Sequence, residues 1–228
     1  MKPSRVRIPV EGLDPVSGML HAADPESPGT ATAAILGHGA GNDMDHPLLT
    51  AVSERLAEAG VNTLRFNFPY KEKGRKAPDA QGTLVRTWRA AEAFMREESG
   101  RKVDRLVCGG KSMGGRVASQ MAAERLLPAD GLVFLGYPLH PPGKKERLRD
   151  AHLYTLHQPM LFFAGTRDPL CDLDLLRQVL ARIQTPWTLE TVEGGDHSFK
   201  TPKSSGLSTE AVYDRIARKT VAWVQGLS

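Results

Sequence analysis

The stretch Cys108 to Arg116, CGGKSMGGR, carries two patterns that demand different chemistry. Gly110-Lys111-Ser112 could close a phosphate-binding loop, and Gly110-Lys111-Ser112-Met113-Gly114 could be the tight turn that presents a nucleophilic serine. A phosphate loop needs a further glycine five residues before Gly110, so that its backbone amides can wrap the phosphates. Arg105 stands there, inside the predicted strand RLVCGG, and no neighbouring strand end offers an aspartate in a magnesium-holding context. The serine turn fits better. It lies between that β-rich run and the helical run RVASQMAAERL, and glycines on either side of the serine allow strand and helix to approach without Cβ clashes.

A serine hydroxyl is a weak nucleophile at neutral pH and needs a base that is itself oriented by an acid. Read in the order nucleophile, acid, base, Asp168 in GTRDPL follows a predicted strand, and His197 in GGDHSF lies in the glycine-rich loop after the next one. A parallel sheet gathers such positions at one edge, beyond the carboxyl ends of its strands. Asp196 is the rival acid, but side chains of adjacent residues in extended backbone diverge. Acyl transfer also needs two backbone donors for the developing oxyanion. HGAG, His38 to Gly41, ends the first strong strand, so the amides of Ala40 and Met113 are the expected donors, with His38 bracing the loop. Asn42-Asp43-Met44-Asp45-His46 superficially suggests a metal site, but carboxylates ahead of Pro47 read as helix-start residues. Neither a metal nor a cofactor is expected.

Outward from this stretch, short apolar runs alternate with helical ones. Strands are expected at 33–36, 62–68, 105–109, 131–136, 160–165 and 187–192, several apolar throughout, as suits strands covered on both faces. Pro47 and Gly60 bracket one helix, Leu84, Trp88, Ala91 and Met95 mark a second, and Tyr213, Ile216, Ala217, Thr220, Trp223 and Val224 stripe a closing one. RVRIPV and SGMLHA, within residues 1–30 and separated by a loop with Gly12 and Pro15, read as an antiparallel pair at one edge. The expectation is one α/β domain over residues 1–228, a mostly parallel sheet flanked by helices.

With 30 Lys+Arg against 26 Asp+Glu, the net charge of +4 leans toward anionic partners without the excess of a nucleic-acid binder. The bias is local: Lys71, Lys73, Arg75 and Lys76 cluster, as do Lys144, Lys145, Arg147 and Arg149. They are either solvated loops or a basic rim for an acidic substrate. No apolar run suggests a signal peptide or a membrane span, and two cysteines, Cys108 and Cys171, form no metal or disulfide pattern. A cytoplasmic protein without nucleic-acid or membrane partners is expected.

Taken together, LGHGAG, NFPY, GGKSMGGR, GYPLHPPGK, GTRD and GGDHSF resemble the α/β-hydrolase superfamily over roughly residues 33–227. Within it they are similar to the dienelactone-hydrolase-like branch and its testis-expressed and chromatin-complex hydrolase-like group. The resemblance implies Ser112 as nucleophile, Asp168 as acid, His197 as base and Ala40 and Met113 as oxyanion donors. It also implies a serine hydrolase of small esters or related acyl compounds. Dienelactone hydrolases proper carry a cysteine where this chain has Ser112, so dienelactone cleavage is not implied. The segment from Pro138 to Gln158 has room for a loop and a short helix, so little or no lid is expected. His140 in that loop and Lys111 beside the serine are candidate substrate contacts. A Ser-Lys base is excluded, because position 115 is glycine. The competing reading is a binding or scaffold protein on the same fold.

Overall fold

The computed structural model describes residues 3–23, 31–100 and 102–227. Residues 1, 2 and 24–30 of the expected N-terminal edge lie outside the described residues. The sheet consists of β1 (Ser4–Val10), β2 (Leu13–His21), β3 (Thr32–Gly37), β4 (Asn62–Phe66), β5 (Arg105–Lys111), β6 (Gly131–Leu135), β7 (Met160–Gly165) and β8 (Trp187–Val192). Its spatial order is β1-β2-β4-β3-β5-β6-β7-β8. β2 runs antiparallel to β1 and β4, and every pairing from β4 to β8 is parallel. Pro15, expected in the turn between the first two strands, lies inside β2 instead. It sits beside the register irregularity at Ile8 and Val10, outside the Gly18–His21 stretch that pairs with β4, where a missing N–H is tolerated.

The helices are α1 (Pro47–Glu58), α2 (Pro69–Glu72), α3 (Gln81–Ala93), α4 (Met113–Ala123), α5 (Leu173–Leu180) and α6 (Thr209–Gln225). Pro47 opens α1, where its absent N–H would be unpaired anyway, and Gly60 leaves it with φ 87°. The strand expected to reach Phe68 stops at Phe66, which pairs with Gly37, the last residue of β3; Phe68 is extended ahead of Pro69, which opens α2.

Strand alternation divides the core between two faces. Leu106, Cys108, Met160 and Phe162 meet α3, α4 and α5 through Trp88, Val117, Met121, Leu176 and Val179. Val107, Val133, Leu161 and Phe163 meet α1 and α6 through Leu48, Leu49, Val52, Val212 and Ile216. Burial on both faces is why these strands read as unbroken apolar runs. The chain moves outward from β3 to β4, then returns past β3 to β5, so the order of strands reverses between β3 and β5. At such a reversal the loops leaving two neighbouring strands part and open a crevice. Here those loops are His38–Gly41 and the turn at Ser112.

Candidate active site

β5 ends at Lys111 and α4 begins at Met113, so one residue, Ser112, makes the whole turn, with φ 49° and ψ −112°. A non-glycine side chain rarely occupies that region, and holding it there needs tight packing around it. The packing is visible in two glycines. A Cβ on Gly110 (φ 134°) would lie 2.1 Å from the Gly37 carbonyl oxygen, and one on Gly114 would lie 2.2 Å from the same atom. Backbone from β3 thus occupies the space that side chains at 110 and 114 would need. The Ser112 amide donates to the Leu135 carbonyl at 3.3 Å, and its carbonyl accepts from Arg116 at 3.0 Å, tying the turn to β6 and to α4.

The structure brings Ser112, His197 and Asp168 into one hydrogen-bonded chain. His197 Nε2 lies 2.9 Å from Ser112 Oγ, and His197 Nδ1 lies 2.7 Å from Asp168 Oδ2. Because the carboxylate can only accept, Nδ1 carries the proton and Nε2 is left to accept from the hydroxyl. The Asp168 side chain is fully buried, whereas that of His197 is 21% exposed, so the carboxylate is sealed and the imidazole is not. Asp168 Oδ1 accepts from the Leu170 amide at 2.8 Å, which fixes the carboxylate plane. Cap duty at α5 falls to Asp172, leaving Asp168 unencumbered. The acid and base loops are pressed together: a Cβ on Gly165 would lie 2.2 Å from the Gly195 carbonyl oxygen. Asp196, the rival acid, is consumed by its own turn, accepting from the amides of Ser198 (2.7 Å) and Lys200 (3.0 Å).

The loop after β3 lies against the elbow, since a Cβ on Gly39 would be 3.3 Å from Ser112 Cβ. Among the described residues, no acceptor engages the amide of Ala40 or of Met113, the latter being the first residue of α4. Both are available to an incoming oxygen, and the helix N-terminus adds partial positive charge there. His38 is buried beneath the loop. Its Nδ1 donates to the Gly39 carbonyl at 2.8 Å, its Nε2 accepts from the Phe68 amide at 3.2 Å, and Tyr70 donates to the same Gly39 oxygen at 3.3 Å. Burial lowers the His38 pKa to about 4, so the imidazole stays neutral and keeps both roles.

Two expected substrate contacts are placed elsewhere. His140 is 1% exposed, with Nδ1 donating to the Pro141 carbonyl (3.0 Å) and Nε2 accepting from the Asp172 amide (3.0 Å). Both ring nitrogens are spent on backbone, so it braces two loops and does not line a pocket. Lys111 is 2% exposed, and its ammonium turns away from the crevice to the His197 carbonyl oxygen at 2.5 Å. The basic rim is partly neutralised: Lys145 pairs with Asp172 and Arg75 with Asp79, each at 2.5 Å. Arg116, four residues after the serine, donates to Gln120 Oε1 at 3.3 Å and is in no ion pair among the described residues. Between β6 and β7 the only regular element is a 3₁₀ turn, Ala151–Thr155, and no lid is inserted. Cys108 and Cys171 are free and buried, and no described helix is long and apolar enough to cross a membrane.

A family model described as an alpha/beta hydrolase domain matches residues 30–225. Among solved structures, a dienelactone hydrolase from Anabaena variabilis is 21% identical, with 95% of each chain covered and a TM-score of 0.73. A serine hydrolase without a lid from Xanthomonas campestris is 19% identical, covering 98% of this chain and 95% of its own, with a TM-score of 0.73. An alpha-beta serine hydrolase homologue from Coxiella burnetii is 18% identical, covering 96% and 98%, with a TM-score of 0.75. At these identities the structures establish likeness of fold.

Proposed function

The chain belongs to the α/β-hydrolase family, and from that premise we propose that it is a serine hydrolase cleaving small esters or related acyl compounds through an acyl-enzyme. The observation that carries this reading is the unbroken chain from Ser112 Oγ through His197 to buried Asp168. Ser112 Oγ attacks the acyl carbon while its proton passes to His197 Nε2. The negative charge on the former carbonyl oxygen is met by the amides of Ala40 and Met113. His197 then protonates the departing alkoxide, and water, activated by the same imidazole, attacks the acyl-enzyme and releases the acid. Asp168 stabilises the imidazolium in both halves and holds the tautomer. Each oxyanion donor contributes on the order of 3 kcal/mol to lowering the barrier. A binding protein on this fold would have no use for a serine held at φ 49° with a base already on its hydroxyl.

We assign the acyl group as anionic. Arg116 and Arg149 lie within electrostatic reach of one another, and neither guanidinium is in an ion pair among the described residues. Arg116 lies in the first turn of α4, four residues after Ser112, and donates to Gln120 Oε1 at 3.3 Å; Arg149 lies in the loop after β6 and donates to the Pro138 carbonyl at 3.3 Å. The test is a panel of short esters of one alcohol, comparing acetyl with hemisuccinyl groups. Hydrolysis should favour the charged acyl group, and Arg116→Gln should remove the preference. Equal rates on both would refute the anionic assignment, and hydrolysis of neither would count against the esterase reading.

A further inference from the structure

Lys111 is a charged side chain buried to 2% exposure beside the nucleophile, and the acyl-enzyme scheme has no step for it. It ends β5, directly before the nucleophile, and its Nζ donates to the His197 carbonyl oxygen at 2.5 Å. That ammonium sits 5.8 Å from the centroid of the Phe199 ring and borders Gly136, whose φ of 78° favours glycine. No carboxylate forms an ion pair with it among the described residues. The charged and titratable groups around it are Asp168 from the acid loop, Asp196 and His197 from the base loop, and His46 from the start of α1.

A methionine would fill the same channel without the desolvation cost of a buried cation. What the ammonium adds is a strong donor to the backbone of His197 and a positive charge beneath the His197–Asp168 pair. Resting on the serine-hydrolase reading above, we propose that Lys111 is a positioning residue for the base. Its ammonium anchors the His197 backbone so that Nε2 faces Ser112. Phe199, held at φ 60° two residues beyond the base, closes the other side of the clamp. Burial, only partly offset by Asp168 and Asp196, lowers the Lys111 pKa to about 8. Below that pH the clamp is charged, and above it the amine still reaches the carbonyl as a weaker, neutral donor.

The test is the second-order rate of fluorophosphonate labelling as a function of pH, for wild type and Lys111→Met, with thermal unfolding alongside. Lys111→Met should melt at or above the wild-type temperature and yet label about 10- to 100-fold more slowly at pH 7, the scale of loss when a reacting group is misplaced by an ångström. Wild type should lose rate as pH rises through about 8, where the ammonium gives up its proton, and Lys111→Met should lack that step. A Lys111→Met rate equal to wild type at pH 7 overturns the proposal. So does a slower rate that keeps the wild-type step near pH 8, the signature of a packing role alone. Wild type that does not label overturns the serine-hydrolase reading and this inference with it. If Lys111→Met does not fold, wild type decides: the downfield Nδ1 proton resonance of His197 should shift with an inflection near pH 8. A resonance unchanged from about pH 7 to 9.5 overturns the proposal.

Discussion

Replacing Ser112 by glycine should make the protein more stable than replacing it by alanine, reversing the usual order of these two residues. Ser112 holds φ 49° and ψ −112°, a conformation open to glycine and strained for any residue with a Cβ. Such strain is worth about 1–3 kcal/mol. Both substitutions delete the hydroxyl and its 2.9 Å contact with His197 Nε2, so that loss cancels between them. Glycine loses more chain entropy on folding, which costs about 0.5–1 kcal/mol against alanine. The balance favours Ser112→Gly by about 1–2 kcal/mol. For a domain of this size each kcal/mol moves the melting temperature about 2–4 °C, so the glycine variant should melt several degrees above the alanine variant. Calorimetry and urea unfolding measure the difference independently. An alanine variant equal to or more stable than the glycine variant would show that the turn stores no strain, and the account of the elbow would be wrong.

Three further outcomes follow from the same geometry. Asp168→Asn should lower the fluorophosphonate labelling rate by a factor on the order of 10⁴, because an amide hydrogen aimed at His197 Nδ1 forces the wrong tautomer; near-UV circular dichroism should be unchanged. Gly114→Ala drives a Cβ to 2.2 Å from the Gly37 carbonyl oxygen, with no flexible side chain to yield, so unfolding free energy should fall by about 3 kcal/mol or more. Stability should also fall as pH drops from 6.5 toward 4. Burial lowers the pKa values of His21, His38 and His152 to about 4, so the unfolded chain binds protons in that window that the folded one does not. These histidines contribute no penalty above pH 6.5 and a growing one as pH falls through the window. Urea midpoints at pH 7, 6 and 5 measure the slope, and His38→Gln should flatten it.

The sheet was legible because strands buried on both faces leave continuous apolar runs, and because Pro47 and Gly60 punctuate a helix whatever its neighbours do. The elbow and its partners were legible because a parallel sheet converts chain order into proximity at one edge. The direction of a long side chain was not. Lys111 could have reached the crevice or folded beneath the base loop, and the choice rests on the His197 carbonyl, distant in sequence, accepting from Nζ. His140 shows the same limit, since its ring is claimed by the Asp172 amide from another loop. Charge clusters such as Lys144–Arg149 read as either solvated loops or a basic rim, and the pairing of Lys145 with Asp172 across loops is not visible in the sequence. Pro15 looked like a turn residue because an irregular register cannot be seen in one strand alone.

The central claim is that Ser112 is a nucleophile activated by His197. Intact-mass measurement after fluorophosphonate treatment tests it most directly, with Ser112→Ala and His197→Ala treated in parallel. The account predicts a single adduct on wild type, none on Ser112→Ala and little on His197→Ala at the same exposure. Folded wild type that takes up no adduct, or an adduct that persists on Ser112→Ala, would contradict it.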